Sequence, residues 1–137
     1  GLPVVIHTRQ ADDDTIAILR EESGKGTFPF LIHCFASGPK LAEAALELGG
    51  YISFSGLLTF PKCEEIRDVA RIVPEDRLLV ETDSPFLAPV PKRGKPNTPG
   101  YVAHTAARLA QERGISAEKI ADITTENVHR LFARTRL

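Results

Sequence analysis

The sequence contains no methionine and no tryptophan, and its 137 residues include only two cysteines. Cys34 and Cys63 lie in different segments and form neither a CxxC pair nor a zinc-finger spacing. This excludes a small zinc-binding or disulfide-exchange module of those types. So sparse a use of cysteine is typical of a reducing compartment, and we therefore expect a cytoplasmic protein.

An excess of charge of one sign and a long apolar run are also missing. The 17 basic and 18 acidic residues give a net charge of -1. This argues against a protein that coats duplex DNA, because such proteins need a strong basic excess. No apolar run approaches the roughly 18 residues that span a bilayer, so we expect no membrane partner. The hydrophobic fraction of 42% and the charged fraction of 26% are typical of a globular domain.

Four short apolar runs recur along the chain: VVI at residues 4–6, FLI at 30–32, YISF at 51–54 and LLV at 78–80. They are rich in β-branched or aromatic residues and do not alternate with polar ones, which is typical of parallel strands buried on both faces. The segments between them repeat apolar residues at helical spacing, for example Leu41, Ala44, Ala45 and Leu48. The order β-α-β-α-β-α-β, followed by further helices, predicts an α/β fold with four parallel strands and outer helices.

The length of the chain limits the architecture that this repeat can build. A complete (β/α)8 barrel needs about 250 residues, so 137 residues form either another α/β architecture or part of a barrel. Because the sequence starts at glycine, we expect it to be a segment of a longer chain. Five prolines between residues 84 and 99 predict a long, stiff surface loop after the fourth strand.

Candidate metal ligands stand at the ends of three of the four predicted strands. His7 ends VVIH, His33 ends FLIH and Asp83 closes LLVETD. Because parallel strands point the same way, these side chains should converge beyond the carboxyl ends of the strands, where α/β proteins build active sites. Each has an ordinary alternative when taken alone, such as a turn cap for Asp83. The joint pattern predicts a site for a divalent metal ion.

Basic residues near these strand ends are candidates for phosphate binding. Arg9 follows His7 by two residues, so its guanidinium should either bind a phosphate with two hydrogen bonds or pair with the acidic residues 12–14. The proline-rich loop carries a short basic run, Lys92, Arg93 and Lys95. The run is either solvated or attracts phosphate, since it follows the strand that carries Asp83.

Two further residues adjoin the candidate ligands. Glu81 precedes Asp83 by two residues and should lie on the same side of its strand, where it braces a ligand or fills a layer of the interior. Cys34 follows His33, and strand alternation predicts that it points away from that residue as a small core side chain.

The segments that carry these residues resemble the TatD family of metal-dependent deoxyribonucleases. The similar blocks are VVIHTR, LIHCFASG, YISFSG, ETDSPFLAP, NTPGYVAH and TTENVHRLF, in the family's order and at similar spacing. They run from one end of the chain to the other, and ETDSPFLAP with the downstream RGKPNTP is the most specific. The resemblance implies that residues 1–137 are a single domain, the last four βα units and hence the C-terminal half of a TIM (β/α)8 barrel.

The family pattern also implies roles for the candidate residues. In that pattern a His-x-His on the first strand and a Glu on the fourth join ligands from the fifth, sixth and eighth strands. His7 and His33 resemble the fifth- and sixth-strand metal ligands. Asp83 resembles the eighth-strand ligand, the catalytic group that orients or deprotonates the attacking water. The resemblance implies two divalent metal ions (Mg, Mn or Zn), DNA as the substrate and trimming from the 3′ end.

Two other functions stay open. One is a different hydrolase on the same amidohydrolase-like barrel, although such enzymes often bridge their metals with a lysine and no predicted strand carries one. The other is a non-catalytic half barrel that binds a partner or a second copy, because the sequence lacks a His-x-His. Open sheet edges, with the inward faces of Val4, Ile6, Leu31 and Leu79 uncovered, also predict that the fragment self-associates.

Overall fold

The computed structural model describes residues 1–135, so the last two residues of the predicted domain, 136 and 137, lie outside the described part of the chain. Four strands are present there: β1 (Val4–Ile6), β2 (Phe30–Ile32), β3 (Tyr51–Phe54) and β4 (Leu78–Val80). They form one sheet in the order β1-β2-β3-β4, and each neighbouring pair is parallel. The predicted strands and their parallel order are confirmed.

Helices follow each strand, as the alternating pattern predicts. The α-helices of the described residues are α1 (Asp12–Lys25), α2 (Pro39–Glu47), α3 (Glu64–Ile72), α4 (Val102–Arg113) and α5 (Ala117–Leu131). Short 3-10 turns lie at Gly56–Thr59, Glu75–Arg77, Pro99–Tyr101 and Ala133–Thr135. No helix within residues 1–135 combines the length and the apolar character needed to cross a bilayer.

The helix ends follow from local sequence. Three aspartates fill the first turn of α1, where the helix dipole favours carboxylates. Pro39 is the first residue of α2, and Gly49 just beyond that helix has a φ of +80°, a left-handed conformation that favours glycine. The Ser116 hydroxyl accepts a hydrogen bond from the Lys119 N–H at the start of α5.

One face of the sheet packs against the helices and forms the main core. Ile32, Ile52 and Leu78 lie in register on this face and are fully buried. They share one hydrophobic cluster with apolar side chains of all five α-helices, among them Ile16, Leu41, Val69, Leu109 and Ile120. Burial on this scale explains why the strands read as continuous apolar runs.

The opposite face of the sheet is covered by the end of α5. Leu31 and Leu79 are only 6% and 3% exposed because they pack in a second cluster with Leu131 of that helix. The prediction that these two side chains lie uncovered is therefore wrong. A strand pattern shows which residues share a face, but it does not show where a distant helix ends.

The β1 edge is open, as predicted, but its side chains face differently from the prediction. Val4 and Ile6 pair in register with Phe30 and Ile32, which places them on the helix-bearing face rather than the inner one. Val4 is 44% exposed, and both Val4 and Ile6 line an apolar groove toward α1. Val5 is 57% exposed on the other face of the same strand.

The proline-rich segment after β4 is a loop, as predicted, and it packs against the 3-10 turn Gly56–Thr59 that follows β3. The Val90 N–H donates to Thr59 Oγ1 at 2.9 Å. Gly56 permits this close approach, because a Cβ at that position would lie 1.9 Å from the carbonyl oxygen of Leu87.

Candidate metal centre

His33 and Asp83 meet although they follow strands that are not neighbours. His33 comes directly after β2, where its backbone N–H donates to the Ile6 carbonyl at 2.8 Å. Asp83 comes after β4, and its Oδ1 lies 3.5 Å from His33 Nε2. The predicted convergence at the carboxyl ends of the strands is thus present for this pair, across the intervening strand β3.

β3 makes the meeting possible because its side chains on that face are small. Ser53 pairs in register with Leu79 and is 3% exposed, and Ser55, just beyond the strand, is 1% exposed. Neither is a strong metal ligand, as the sequence predicts. Their size leaves space for the longer side chains of His33 and Asp83, just beyond β2 and β4, to approach each other.

Glu81 joins His33 and Asp83 as the third residue of this cluster. Its Oε2 accepts a hydrogen bond from the Cys34 N–H at 3.0 Å, and its Oε1 lies 2.7 Å from His33 Nδ1. That second approach is out of line with the ring N–H direction, so the buried Oε1 has no hydrogen-bond partner. Single ligand atoms of His33, Glu81 and Asp83 all lie within 4.8 Å of one another.

His7 lies beside the cluster without belonging to its tightest part. Its ring centroid is 5.9 Å from that of His33, with the two rings tilted by 42°. His7 is exposed, whereas His33 is partly buried. The predicted ligands His7, His33 and Asp83 are therefore at the same end of the sheet, with His7 on its open side.

Arg9 is exposed and makes no ion pair among residues 1–135. Two of the three acidic residues 12–14 have other partners: Asp12 accepts from Ser37 Oγ at 2.9 Å and Asp13 from Lys40 Nζ at 2.5 Å. The proposed pairing of Arg9 with residues 12–14 is thus not found. Its guanidinium is available to an anion.

Cys34 does not point into the core, and that prediction is wrong. Strand β2 ends at Ile32, and Cys34 has a φ of +47°, so strand alternation no longer applies to it. Its thiol donates to Ser55 Oγ at 3.2 Å. Burial raises the pKa of the Cys34 thiol above its ordinary value and outweighs the opposite effect of the Ser55 hydroxyl, which can donate to the thiolate.

The turn that carries Asp83 is clamped by a buried asparagine. Asn97 is 4% exposed, and its Nδ2 donates to the carbonyl oxygens of Thr82 at 2.8 Å and Phe86 at 2.7 Å. Its Oδ1 accepts from the Thr98 N–H at 2.9 Å. Asn97 therefore fixes the backbone on both sides of Asp83, a role that sequence reasoning missed.

The basic run of the proline-rich loop contacts aromatic rings. The Arg93 guanidinium lies 4.1 Å from the centroid of the Phe60 ring, and Lys92 Nζ lies 5.5 Å from that of Tyr101. These cation-π contacts hold the loop against the body of the protein. They give Lys92 and Arg93 a structural role in addition to their charge.

Comparison with known proteins identifies the family. Residues 1–133 match the family described as TatD related DNase. The chain belongs to the TatD family. It is 53% identical over 130 residues to the metal-dependent hydrolase YcfH of Escherichia coli K12, a match that covers 95% of this chain and 49% of that protein. It is 43% identical over 132 residues to the hydrolase YabD of Bacillus subtilis, covering 96% and 51%.

Solved structures of TatD homologues share the fold. The crystal structure of YjjV from Escherichia coli K12 has a TM-score of 0.87 and 31% identity, and the match covers 96% of this chain and 50% of that one. A TatD family hydrolase from Entamoeba histolytica, at 21% identity and a TM-score of 0.81, supports the fold alone. The chain spans about half the length of the relatives it matches.

The donor set of this TatD-family chain fits a divalent metal ion. It combines an imidazole nitrogen with carboxylate oxygens, the mixture that zinc and neighbouring transition metals accept. The buried Glu81 Oε1, which lacks a hydrogen-bond partner, is the kind of oxygen that a cation or a proton satisfies. The cluster could therefore hold an ion through His33 and Asp83.

Proposed function

We propose that this chain provides part of the active site of a divalent-metal-dependent hydrolase that cleaves phosphodiester bonds of DNA from the 3′ end. The observation that carries the proposal is the 3.5 Å approach of His33 Nε2 to Asp83 Oδ1, with His7 beside them. The description of the family as DNase-related and the naming of its relatives as metal-dependent hydrolases support the reaction class.

We further propose that the sheet is the C-terminal half of a (β/α)8 barrel. Four parallel strands in sequence order, each followed by a helix, are the repeating unit of such a barrel. The half-length coverage of the relatives and the open, apolar β1 edge support this arrangement. The thiols of Cys34 and Cys63, which are both unpaired, support a reducing, cytoplasmic setting.

In this proposal the residues of the site have separate chemical roles. His7, His33 and Asp83 would hold divalent ions, two in the complete site. A divalent ion bound there supplies Lewis-acid activation of water and neutralises negative charge on the phosphoryl group. Asp83 accepts the proton of the attacking water as general base. The unpaired guanidinium of Arg9 binds a phosphate oxygen of the substrate strand.

The proposal is tested with a chain extended to the full length of the relatives. Single-stranded DNA labelled at the 5′ end is incubated with the extended chain and Mg²⁺, Mn²⁺ or Zn²⁺, and the products are resolved by length. We expect a ladder shortened from the 3′ end that disappears when a chelator is added. Turnover of an amide, lactone or phosphotriester substrate without turnover of DNA would instead favour another hydrolase on the same fold.

A further inference from the structure

We infer that Glu81 is a positioning residue that fixes the ring of His33, so that Nδ1 carries the ring proton and Nε2 is the atom that binds the metal ion. This inference rests on the proposed metal site and goes beyond it by separating ligands from supporting groups. All three residues of the cluster could bind an ion by chemistry alone. The distances between their atoms distinguish their roles.

The separation of His33 Nε2 from Asp83 Oδ1, 3.5 Å, is that of two ligands of one ion. Two donor atoms that are each about 2.1 Å from a tetrahedral Zn²⁺ lie about 3.4 Å apart. In octahedral coordination at the same bond length, neighbouring donors lie about 3.0 Å apart. The His33 and Asp83 atoms therefore leave room for an ion between them.

The separation of His33 Nδ1 from Glu81 Oε1, 2.7 Å, is too short for that arrangement. This distance is shorter than the distance between neighbouring donor atoms in tetrahedral or octahedral coordination. It matches the length of a short hydrogen bond between a ring N–H and a carboxylate. Glu81 Oε1 has no other hydrogen-bond partner, so alignment of the ring N–H with this oxygen would satisfy both groups. Nδ1 thus faces a hydrogen-bond acceptor, whereas Nε2 faces the candidate ligand Asp83.

The other carboxylate oxygen keeps Glu81 in place. Oε2 accepts from the Cys34 N–H at 3.0 Å, so one oxygen of the carboxylate is bonded to the backbone after β2 while the other lies 2.7 Å from the His33 ring. Cys34 has a φ of +47°, a conformation that leaves its N–H directed at Glu81 instead of at a sheet neighbour. A carboxylate that orients a metal-binding histidine in this way raises metal affinity by 10- to 100-fold in typical proteins.

The ring protonation of His33 is measured by ¹⁵N NMR of the 137-residue chain in the absence of metal at a pH where the imidazole is neutral. We expect His33 to carry its proton on Nδ1 in the wild-type chain. Glu81→Gln keeps the shape of the side chain but leaves one acceptor oxygen for two donors, so we expect a mixture of tautomers. Glu118→Gln, on the exposed surface of α5, is the matched control and should leave the His33 signals unchanged.

Metal binding gives a second readout that does not depend on catalysis. Isothermal titration with Zn²⁺ should show about 10- to 100-fold weaker binding for Glu81→Gln. The visible spectrum of bound Co²⁺ should keep its shape, because the ligands themselves are unchanged. The inference is overturned if wild-type His33 carries its proton on Nε2, or if the Co²⁺ spectrum of Glu81→Gln reports a lost ligand. An absence of DNA cleavage with the Nδ1 proton in place would contradict the proposed function alone.

Discussion

Asp83 combines a candidate catalytic carboxylate with an uncommon backbone conformation. Its φ of +58° lies in the left-handed region, which aspartate and asparagine adopt more readily than most other residues. Its carbonyl accepts from the Phe86 N–H at 2.9 Å, which closes the turn. This turn directs the Asp83 carboxylate at His33. An asparagine at position 83 would also adopt the left-handed conformation that the turn requires.

Asp83→Asn should therefore remove activity and spare the fold. In a chain extended to the full length of the relatives, we expect turnover of DNA to fall by about 10²- to 10⁴-fold, as for the loss of a general base. Weaker metal binding adds to this loss, because the amide carries no negative charge. The exonuclease assay measures turnover, and thermal denaturation checks the fold. Asp122→Asn on the exposed face of α5 is the control. Activity within a few-fold of the wild type would show that Asp83 is only a turn cap.

Asn97 offers a second test at the residue scale. Asn97→Asp keeps the shape and the Oδ1 acceptor but replaces the amide that donates to the carbonyls of Thr82 and Phe86. Two carbonyl oxygens then face a carboxylate, so we expect the free energy of unfolding to fall by about 1–3 kcal/mol at pH 7. Urea denaturation gives this value, with the exposed Gln111→Glu as a charge-matched control. Unchanged stability would mean that the turn around Asp83 holds itself without Asn97.

Helices α3 and α4 are joined by an ionic network around a partly buried glutamate. The Glu112 side chain is 8% exposed, and it accepts from Arg108 Nε at 2.7 Å and from Arg71 Nη2 at 2.5 Å. Burial alone would raise the pKa of Glu112, but the two arginines outweigh it and hold this pKa below its usual value. Arg71 also pairs with Glu64 and Asp68, so one guanidinium links the two helices.

Glu112→Gln should make the stability of the chain less dependent on pH. The pKa of Glu112 is lower in the folded than in the unfolded chain. Ionised Glu112 therefore stabilises the folded state above the unfolded pKa of 4.5, and this stabilisation is lost as the pH falls through the folded pKa. We expect the variant to be about 1–2 kcal/mol less stable at pH 7 and to approach the wild type below pH 4.5. Urea denaturation across this pH range measures the difference, with the exposed Glu43→Gln as control. A difference that does not change with pH would contradict the ionic origin.

At the scale of the whole molecule, the β1 edge is an unpaired strand edge with exposed apolar side chains. Leu2, Val5 and Ile18 are 69%, 57% and 60% exposed at or near this edge. An unpaired strand with apolar neighbours favours pairing with another chain. The cover that α5 gives to Leu31 and Leu79 removes these two side chains from the open apolar surface of the sheet.

We therefore propose that the isolated 137-residue chain self-associates and is a poor or inactive nuclease. Light scattering should report species larger than a monomer, and Val5→Lys should reduce them because a charge on an edge strand opposes pairing. Ile72→Lys, at a position on α3 that is 56% exposed, should have a smaller effect. Activity should stay low in both, since the chain has no His-x-His and a second copy brings none. A stable monomer with the activity of the extended chain would contradict both expectations.

Much of the fold follows from local sequence. The runs VVI, FLI, YISF and LLV became the four strands, and FLI, YISF and LLV are continuous apolar runs because these strands are buried on both faces. The positions of His33 and Asp83 just beyond β2 and β4 followed from the same reasoning, since parallel strands share one carboxyl end. Each of these predictions depends only on spacing along the chain and on the regular geometry of a strand.

The tertiary structure alone decided the features that depend on irregular backbone or on distant contacts. Glu81 reaches Cys34 across 47 positions of the sequence, and Asn127 of α5 likewise donates to the Leu78 carbonyl across 49. The positive φ of Cys34 turned it away from the core against strand alternation. Leu131 covered a face of the sheet that the pattern predicted to be open. The spacing of residues along the chain determines on which face of a strand each side chain lies, as long as the backbone is regular. Packing between distant segments decides the rest, because the free energy of burial depends on neighbours that the local sequence does not contain.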